Sequence, residues 1–339
     1  MSNLLRSHGI GPILDSTLRD GRYLGNWRPE LTRCLVADLA ACGVSGIEIG
    51  PELGLGDTSS DRFTSRKSIF EDINSAASVK SSSLIGSFFI PGIGVHEDLI
   101  QARREGLDFV RIGQNPANWT SAVPFIETAI SSGLRVFFNL MKSHLVTPHQ
   151  FTDIVGQLSE LPLDGVYLVD STGTLTPDDV RRYVMDARKN TSLSIGFHGH
   201  DNLGLANANS LMAWTCGAKH VDGTLLGIGR GGGNASTERL FGLRTRLSLE
   251  SSVDLRSICK IALNLESELK YGDRHLDYLD LVCGILGFHS SWLNLAKEIA
   301  GAHAVDCVQL IEAVSTKDRE SPSRALFEEV ARGLAEDGR

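Results

Sequence analysis

Short runs of β-branched and aromatic residues alternate with segments of helical hydrophobic period along most of the chain. Brief continuous apolar runs are typical of strands buried on both faces, whereas a period of about 3.6 residues is typical of amphipathic helices. The pattern predicts eight strands: Pro12–Thr17, Gly46–Gly50, Leu84–Ile90, Phe109–Gly113, Val136–Leu140, Val166–Asp170, Ser194–His198 and Val221–Leu225.

Helices are predicted between these strands. Glu30–Cys42 carries one apolar stripe, and Val95–Arg104 follows its own turn. Thr176 before Pro177 and two acids is typical of a helix start. Four glycines stand where a helix ends in a left-handed residue: Gly43, Gly106, Gly133 and Gly217.

The number of strand–helix units decides the predicted fold. Eight units within residues 1–252 are typical of a TIM (β/α)8 barrel, an α/β fold. An open, doubly wound sheet is the alternative, because the pattern alone does not show closure. The count of eight favours the barrel as the catalytic unit.

The strand signal stops at about residue 253, and residues 253–339 are predicted to form a helical C-terminal extension. No linker rich in proline, serine or charge precedes it, so we expect it to pack on the barrel. Its predicted helices are Leu255–Tyr271, Ser291–Gly301, Val305–Ala313 and Ala325–Ala335.

Composition narrows the function classes. The 339 residues are 42% hydrophobic, which is typical of a globular protein, and the net charge of −8 without a basic stripe argues against nucleic acid or membrane partners. The apolar runs are too short to span a bilayer, and the first residues lack the apolar centre of a signal peptide. Six scattered cysteines without CxxC spacing indicate reduced thiols, so we expect a cytoplasmic location.

Two distant polar clusters predict a metal site. His198 and His200 are alternate residues at the end of a strand, so both rings project to one side. Asp20 ends the first strand, and the C-terminal ends of barrel strands converge on one face. Two imidazoles and a carboxylate bind a divalent ion and leave coordination positions open. Arg19 would face whatever fills those positions.

Other polar residues fall at the same predicted face. Glu48 lies within a strand, and a buried carboxylate needs a partner, for which Arg19 is the nearest candidate. Asp170, Ser171 and Thr172 end the sixth strand and suit either turn and capping roles or a binding site.

A glycine-rich turn follows the last strand. Gly227–Gly232 satisfies the GxGxxG pattern, but no third strand follows to build a dinucleotide crevice. We expect instead that this turn lets the backbone approach a ligand at the barrel mouth, with Asn234 aimed inward.

Taken together, Ser16–Gly21, Phe197–Asn202 and Gly227–Asn234 resemble the signature motifs of the DRE-TIM metallolyase superfamily, which includes HMG-CoA lyase. Within it, the motifs are most similar to those of the 4-hydroxy-2-oxovalerate aldolases. The resemblance covers most of residues 10–315. Further segments support it: Ile90–Gly94, Met141–His144, Asp170–Ser171, Ala206–Ser210 and Gly287–Leu293.

The resemblance implies a chemistry. In this family Asp20, His198 and His200 would hold a divalent metal, Mn²⁺ or Mg²⁺, that chelates a 2-oxo acid, and Arg19 would stabilise the enolate. Asn234 resembles a residue near the metal. The substrate-binding residues that we predict are Arg19, Asp20, Glu48, Ser171 and His198.

The sequence departs from the aldolase pattern at the catalytic base. The family has a histidine two residues after the glycine of Arg-Asp-Gly, where this chain has Tyr23, and a tyrosine where this chain has His289. An imidazole pKa of about 6.5 suits a base, whereas a phenol pKa of about 10 does not. We therefore predict Arg19, His289 and Tyr23 as catalytic residues, with His289 as base and Tyr23 as an orienting contact. The alternative is that both merely pack at the mouth of an altered or inactive site.

The leading functional hypothesis is a metal-dependent pyruvate aldolase that cleaves a 4-hydroxy-2-oxo acid into pyruvate and an aldehyde. A Claisen-type acyl-CoA synthase or lyase is the alternative, and a non-catalytic binding barrel is a third. Arg22, Tyr23 and Lys142 favour a longer or acidic aldehyde half. The resemblance further implies an acylating aldehyde dehydrogenase partner and a homo-oligomer.

Overall fold

The computed structural model describes residues 12–24, 27, 29–59, 63–247, 254–270 and 278–337. Eight parallel strands form a closed barrel in chain order, in which the first strand bonds to both the second and the eighth. The predicted TIM barrel is therefore confirmed. The strands are β1 (Ile13–Leu18), β2 (Gly46–Ile49), β3 (Leu84–Phe89), β4 (Phe109–Gln114), β5 (Arg135–Leu140), β6 (Gly165–Asp170), β7 (Ile195–Gly199) and β8 (His220–Gly223).

An α-helix follows each strand and packs its apolar side on the barrel. Thr176 caps one of these helices as predicted, because its side chain accepts the backbone N–H of Asp179. The helices are α1 (Pro29–Ala41), α2 (Arg66–Ala77), α3 (His96–Arg104), α4 (Val123–Ser131), α5 (Pro148–Leu158), α6 (Pro177–Asn190), α7 (Ala206–Thr215) and α8 (Thr237–Arg246).

The barrel interior changes from apolar to charged along the strands. Phe137 on β5 packs edge-to-face on Tyr167 of β6, with ring centroids 6.0 Å apart. Glycines make room for this layer, since a Cβ at Gly86 would lie 2.0 Å from the Phe109 ring. The next inward position on β4 is Arg111, because side chains on one face alternate. The first buried charge therefore lies at the next inward-facing position toward the C-terminal end of the strand.

Two cores hold the C-terminal helices. The first helix, α9 (Leu255–Leu269), contributes Ile258 and Leu265 to the barrel core. A separate cluster around Phe288 and Phe327 unites the later helices. These are α10 (Tyr278–Leu286), α11 (Leu293–His303), α12 (Cys307–Lys317) and α13 (Arg324–Asp337).

The predicted helices of the extension correspond to α9, α11, α12 and α13, whereas α10 was not predicted. It has nine residues and contains Gly284, a poor helix former, so the sequence gives little indication of a helix there. Tyr271, at the end of one predicted helix, lies outside the described residues. Along the described ranges, no helix combines the length and apolar character needed to cross a bilayer.

Candidate active site

A cavity of about 260 Å³ opens where the strands end, and His289 of the extension forms part of its wall. All of the predicted site residues except Glu48 line it: Arg19, Asp20, Tyr23, Ser171, His198, His200 and His289.

Asp20, His198 and His200 form a compact buried cluster. One potential ligand atom from each residue lies within 4.8 Å of the others. His198 Nε2 is 3.6 Å from Asp20 Oδ2, and the two imidazole rings are 5.2 Å apart. The structure thus brings together the three residues that the sequence predicted as metal ligands.

Hydrogen bonds fix the orientation of both imidazoles. His198 Nδ1 lies 2.8 Å from Asp222 Oδ2, and His200 Nδ1 lies 3.1 Å from the carbonyl oxygen of Gly233. A carboxylate and a carbonyl only accept, so each Nδ1 carries the proton and each Nε2 keeps its lone pair. Burial and then the Arg230 guanidinium hold the pKa of His200 well below its usual range. The donor set therefore fits a divalent metal ion.

The Asp20 carboxylate is held in the ionised form that a metal requires. Burial opposes ionisation, but Arg19 and the two histidines outweigh it and lower the Asp20 pKa. Asn234 Nδ2 donates to Asp20 Oδ2 at 2.6 Å, as its predicted inward position requires. The Asn234 Oδ1 has no hydrogen-bond partner among the described residues.

A buried ionic network supports the site. Glu48 accepts Arg19 Nε at 2.9 Å through Oε2, and Arg111 bonds both of its oxygens, at 2.8 and 2.6 Å. Arg111 also contacts Asp222, which links the network to His198. Burial raises the pKa of Glu48, but Arg111 and Arg19 bring it down to about 2. Glu48 is not among the residues that line the cavity, and its contacts in the structure are with Arg19 and Arg111. Its predicted substrate contact stays a prediction.

Arg19 is fixed on three sides. Besides Glu48, it pairs through Nη1 with Asp20 Oδ1 at 3.1 Å, and its guanidinium lies 5.0 Å from the ring centroid of Phe88. A donor held in this way need not reorganise when negative charge develops beside it.

Two roles were left open for the residues that end β6, turn capping and ligand binding. Asp170 has the first, and Ser171 is available for the second. Asp170 accepts the backbone N–H groups of Thr174 and Leu175, each at 3.0 Å, so it caps the turn. Burial raises its pKa to about 6. Ser171 lines the cavity, and its hydroxyl oxygen accepts the backbone N–H of Lys142 at 2.9 Å. Its own hydroxyl proton is therefore available to a ligand.

Tyr23 and His289 both line the cavity. Tyr23 is 40% exposed, and partial loss of solvent raises its pKa. His289 Nδ1 lies 2.7 Å from Ser291 Oγ and 3.4 Å from the Ser291 backbone nitrogen. Depending on the tautomer, it donates to the hydroxyl or accepts the backbone N–H. Burial, followed by Arg230 and Lys142, holds the pKa of His289 well below its usual range. The His289 imidazole is therefore neutral at neutral pH.

Sequence comparison identifies the family of this chain. The HMGL-like family model matches residues 12–264, which is most of the chain. The chain belongs to the HMGL-like family. Its predicted resemblance to the DRE-TIM metallolyases is thereby confirmed.

HMGL-like relatives include two kinds of enzyme. The 4-hydroxy-2-oxovalerate aldolase of Carboxydothermus hydrogenoformans is 32% identical over 296 residues, 87% of this chain and 88% of that protein. The oxaloacetate decarboxylase of Mycobacterium tuberculosis is 37% identical over 248 residues, 73% of each chain. The carboxyl transferase domain of Rhizobium etli pyruvate carboxylase, solved with pyruvate, superposes with a TM-score of 0.79 at 16% identity, covering 99% of this chain and 62% of that one. This last match shows the fold alone.

Sequence reasoning missed three residues of this HMGL-like site. Asp222 orients His198, and the only signal was an acid inside a predicted strand. Glu52 lines the cavity with an Oε2 that is buried without a partner among the described residues, and burial raises its pKa. Arg230 also lines the cavity, and its signal was a charged residue within the glycine-rich turn.

Arg22 does not face the cavity, although the sequence suggested that it favours an acidic substrate half. It bonds Asp72 at 3.1 Å and Thr32 at 2.9 Å, and its guanidinium stacks on Phe63. Thr32 lies on α1 and Asp72 on α2, and Arg22 Nε also donates to the carbonyl oxygen of Leu18 at the end of β1, so Arg22 joins these helices to the barrel. The cations that do reach the cavity are Arg19, Lys142 and Arg230.

Proposed function

We propose that this HMGL-like protein is a carbon–carbon lyase that reversibly cleaves a 4-hydroxy-2-oxo acid into pyruvate and an aldehyde. The convergence of Asp20, His198 and His200 beside the fixed guanidinium of Arg19 carries this proposal. The aldolases among its relatives support it, since they match most of the chain.

The cavity residues suit a reaction that develops negative charge beside a ketone. Asp20, His198 and His200 would hold Mn²⁺ or Mg²⁺, which supplies Lewis-acid polarisation of the 2-oxo group when bound. Arg19 directs fixed N–H donors at the same oxygen, because Glu48 already orients it. The Ser171 hydroxyl, which lines the cavity, would donate to the substrate carboxylate.

Aldol cleavage also needs an acceptor for the hydroxyl proton on C4. His289 is the proposed acceptor, in the tautomer that donates Nδ1–H to Ser291 Oγ at 2.7 Å and leaves the Nε2 lone pair free. The proton passes to His289, the C3–C4 bond breaks, the aldehyde leaves, and the electron pair remains on the pyruvate half until C3 is protonated. Tyr23 stays protonated, since its pKa is raised, and orients the hydroxyl as a donor.

Oxaloacetate decarboxylation is a second candidate function. The Ser291 backbone N–H donates to His289 Nδ1 at 3.4 Å, and this contact favours the tautomer with the proton on Nε2. In that tautomer His289 offers no lone pair to the cavity. When the C4 carboxylate of oxaloacetate leaves as CO₂, the electron pair stays on C3 beside the ketone. The step therefore needs the same charge stabilisation but no base for a hydroxyl proton. The similarity to an oxaloacetate decarboxylase supports this alternative.

A pyruvate assay tests the proposal. The Mn²⁺-loaded protein is incubated with 4-hydroxy-2-oxo acids of increasing chain length and, separately, with oxaloacetate. We expect pyruvate from at least one hydroxy acid, and pyruvate from oxaloacetate alone would favour the second candidate. Release of free thiol from acetyl-CoA with a 2-oxo acid would support the Claisen-type alternative. No product in any assay, from protein that binds Mn²⁺, contradicts the lyase proposal and favours a non-catalytic barrel.

The remaining expectations concern the cellular location, the oligomeric state and the partner protein. A cytoplasmic location, a homo-oligomeric state and an acylating aldehyde dehydrogenase that receives the aldehyde follow from the sequence and its resemblance. Size-exclusion chromatography with light scattering tests the oligomer. Co-purification with a dehydrogenase tests the partner.

A further inference from the structure

Arg230 reaches across the cavity to one of the proposed metal ligands. Its Nη2 lies 3.1 Å from His200 Nε2 and donates to the carbonyl oxygen of Ser171 at 3.1 Å. Its Nη1 donates to Ser290 Oγ at 2.6 Å. All three acceptors are uncharged, and no carboxylate of the described residues pairs with this guanidinium. Arg230 is therefore a half-buried cation without an ion pair among the described residues, although it lies close enough to Asp20 to help lower the pKa of that carboxyl.

The contact with His200 uses the lone pair that a metal would need. His200 Nδ1 donates to the Gly233 carbonyl oxygen, so Nε2 is the nitrogen that accepts from Arg230. One lone pair cannot serve a guanidinium N–H and a metal ion at once, and a dication also repels the guanidinium. Metal binding must therefore release Arg230 from His200 and leave one donor group without an acceptor.

A carboxylate is the acceptor best suited to the released guanidinium. Arginine pairs with carboxylates through two parallel hydrogen bonds, which are stronger than bonds between neutral groups. Arg19 is already paired with Glu48 and Asp20, and Lys142 Nζ donates to the Glu320 carbonyl oxygen at 2.6 Å. Arg230 is thus the cavity cation that loses its contact with His200 when the metal binds.

We infer that Arg230 exchanges His200 for a carboxylate of the bound oxo acid, so that the metal and the anionic substrate bind cooperatively. The inference rests on the metal site and the 2-oxo acid of the proposed function. It makes Arg230 a substrate-binding residue that also sets metal affinity. By linkage, the anion strengthens metal binding by the same factor as the metal strengthens anion binding.

Metal titration of the full-length protein tests this inference without turnover. Mn²⁺ affinity is measured by calorimetry or electron paramagnetic resonance, with and without oxalate, for the wild type, Arg230→Gln and Lys142→Gln. Arg230→Gln should bind Mn²⁺ about tenfold tighter in the absence of oxalate, because a hydrogen bond from a charged donor no longer competes. Oxalate should strengthen Mn²⁺ binding in the wild type by a factor about tenfold larger than in Arg230→Gln.

Lys142→Gln is the matched control, since it removes a positive charge from the same cavity without touching His200. It should keep the wild-type oxalate effect. Unchanged or weaker Mn²⁺ binding by folded Arg230→Gln, or an equal oxalate effect in both proteins, overturns the inference. An oxalate effect that Lys142→Gln loses equally also overturns it.

Folding of the variants is checked by near-ultraviolet circular dichroism. If Arg230→Gln does not fold, Arg230→Lys replaces it, and we expect a reduced oxalate effect because an amine lacks the paired donors of a guanidinium. A wild-type oxalate effect in Arg230→Lys contradicts the inference. Pyruvate is not measured, so failure of the lyase assay and failure of this inference are separate results.

Discussion

Asp222 on β8 lies 2.8 Å from Nδ1 of His198 on β7, and the same carboxylate contacts Arg111 at the centre of the barrel. The pair fixes the His198 tautomer, so that Nε2 faces Asp20 with its lone pair. The proposed metal ligand His198 is therefore oriented by a residue that no simple ligand motif contains.

Replacing this carboxylate should weaken metal binding. We expect Asp222→Asn to reduce Mn²⁺ affinity by about 10- to 100-fold, because the amide no longer imposes the required tautomer and ring orientation. Calorimetric titration measures the effect. Asp164→Asn is the control, since Asp164 pairs with the half-exposed Arg135 at 2.8 Å away from the site. Equal Mn²⁺ affinity in folded Asp222→Asn and wild type would show that Asp222 does not orient His198.

Glu48 should be important for stability. Removing its charge leaves Arg19 and Arg111 buried with less compensation, and breaking a buried ion pair costs about 3–5 kcal/mol. Glu48→Gln should therefore lower the free energy of unfolding by roughly that amount in urea denaturation. Glu298→Gln, which breaks an exposed pair with Arg324, should leave the free energy of unfolding almost unchanged, because solvent screens that pair. A loss no larger than that of the control contradicts the prediction.

His289 should matter for aldol cleavage more than for decarboxylation. His289→Ala should lower kcat on a 4-hydroxy-2-oxo acid by about 10²–10⁴-fold if the imidazole takes the hydroxyl proton, and leave oxaloacetate decarboxylation nearly unchanged. Tyr23→Phe should have a smaller effect on both. Steady-state kinetics with the two substrates measure the difference.

Glu52→Gln provides the comparison, because Glu52 is a cavity carboxylate with a buried oxygen that has no hydrogen-bond partner among the described residues. A large loss in Glu52→Gln with near wild-type turnover in His289→Ala would assign the base role to Glu52. Loss in Tyr23→Phe, with His289→Ala unaffected, would show that the proposed exchange of roles is wrong.

The contact between His144 and the extension should be sensitive to acid. His144 Nδ1 lies 3.3 Å from Thr172 Oγ1, and the His144 ring also bonds the backbone of Gly287 in the extension. Burial, followed by the charges of Arg319 and Lys142, lowers the pKa of His144 to about 4. A histidine whose pKa falls on folding contributes stability that is fully present above its unfolded pKa of about 6.5 and is lost as the pH falls through 4. We expect the difference in the free energy of unfolding between wild type and His144→Gln to shrink as the pH falls from about 6.5 to about 4.

The wild type must be compared with the His144 variant at each pH, because other buried groups titrate in the same pH range. Asp15 and Asp170 have pKa values raised to about 6, so their contributions change with the opposite sign between pH 4 and 6. His149→Gln is the control, since His149 is largely exposed beside Asp153. Urea denaturation at several pH values gives the difference, and identical pH profiles for His144→Gln and His149→Gln contradict the prediction.

The order of apolar runs in the sequence was enough to predict the eight strands and the barrel. The predicted strands and their closure agree with the structure because a strand buried on both faces needs a continuous apolar run, whatever its neighbours are. Asp20, His198 and His200 were identifiable because strand ends meet at one face of a barrel. Helix α10 was missed because a short apolar segment with a glycine has no distinctive period.

The sequence by itself determined the barrel, the face of the site and the three residues that could hold a metal. Only the tertiary structure decided what lies behind and across from them: Asp222 behind His198, Arg111 beneath Glu48, Arg230 on His200 and Arg22 turned away. The reason is physical. Strand periodicity fixes side-chain direction locally, whereas the reach of a long charged side chain from a loop depends on the course of several distant segments at once.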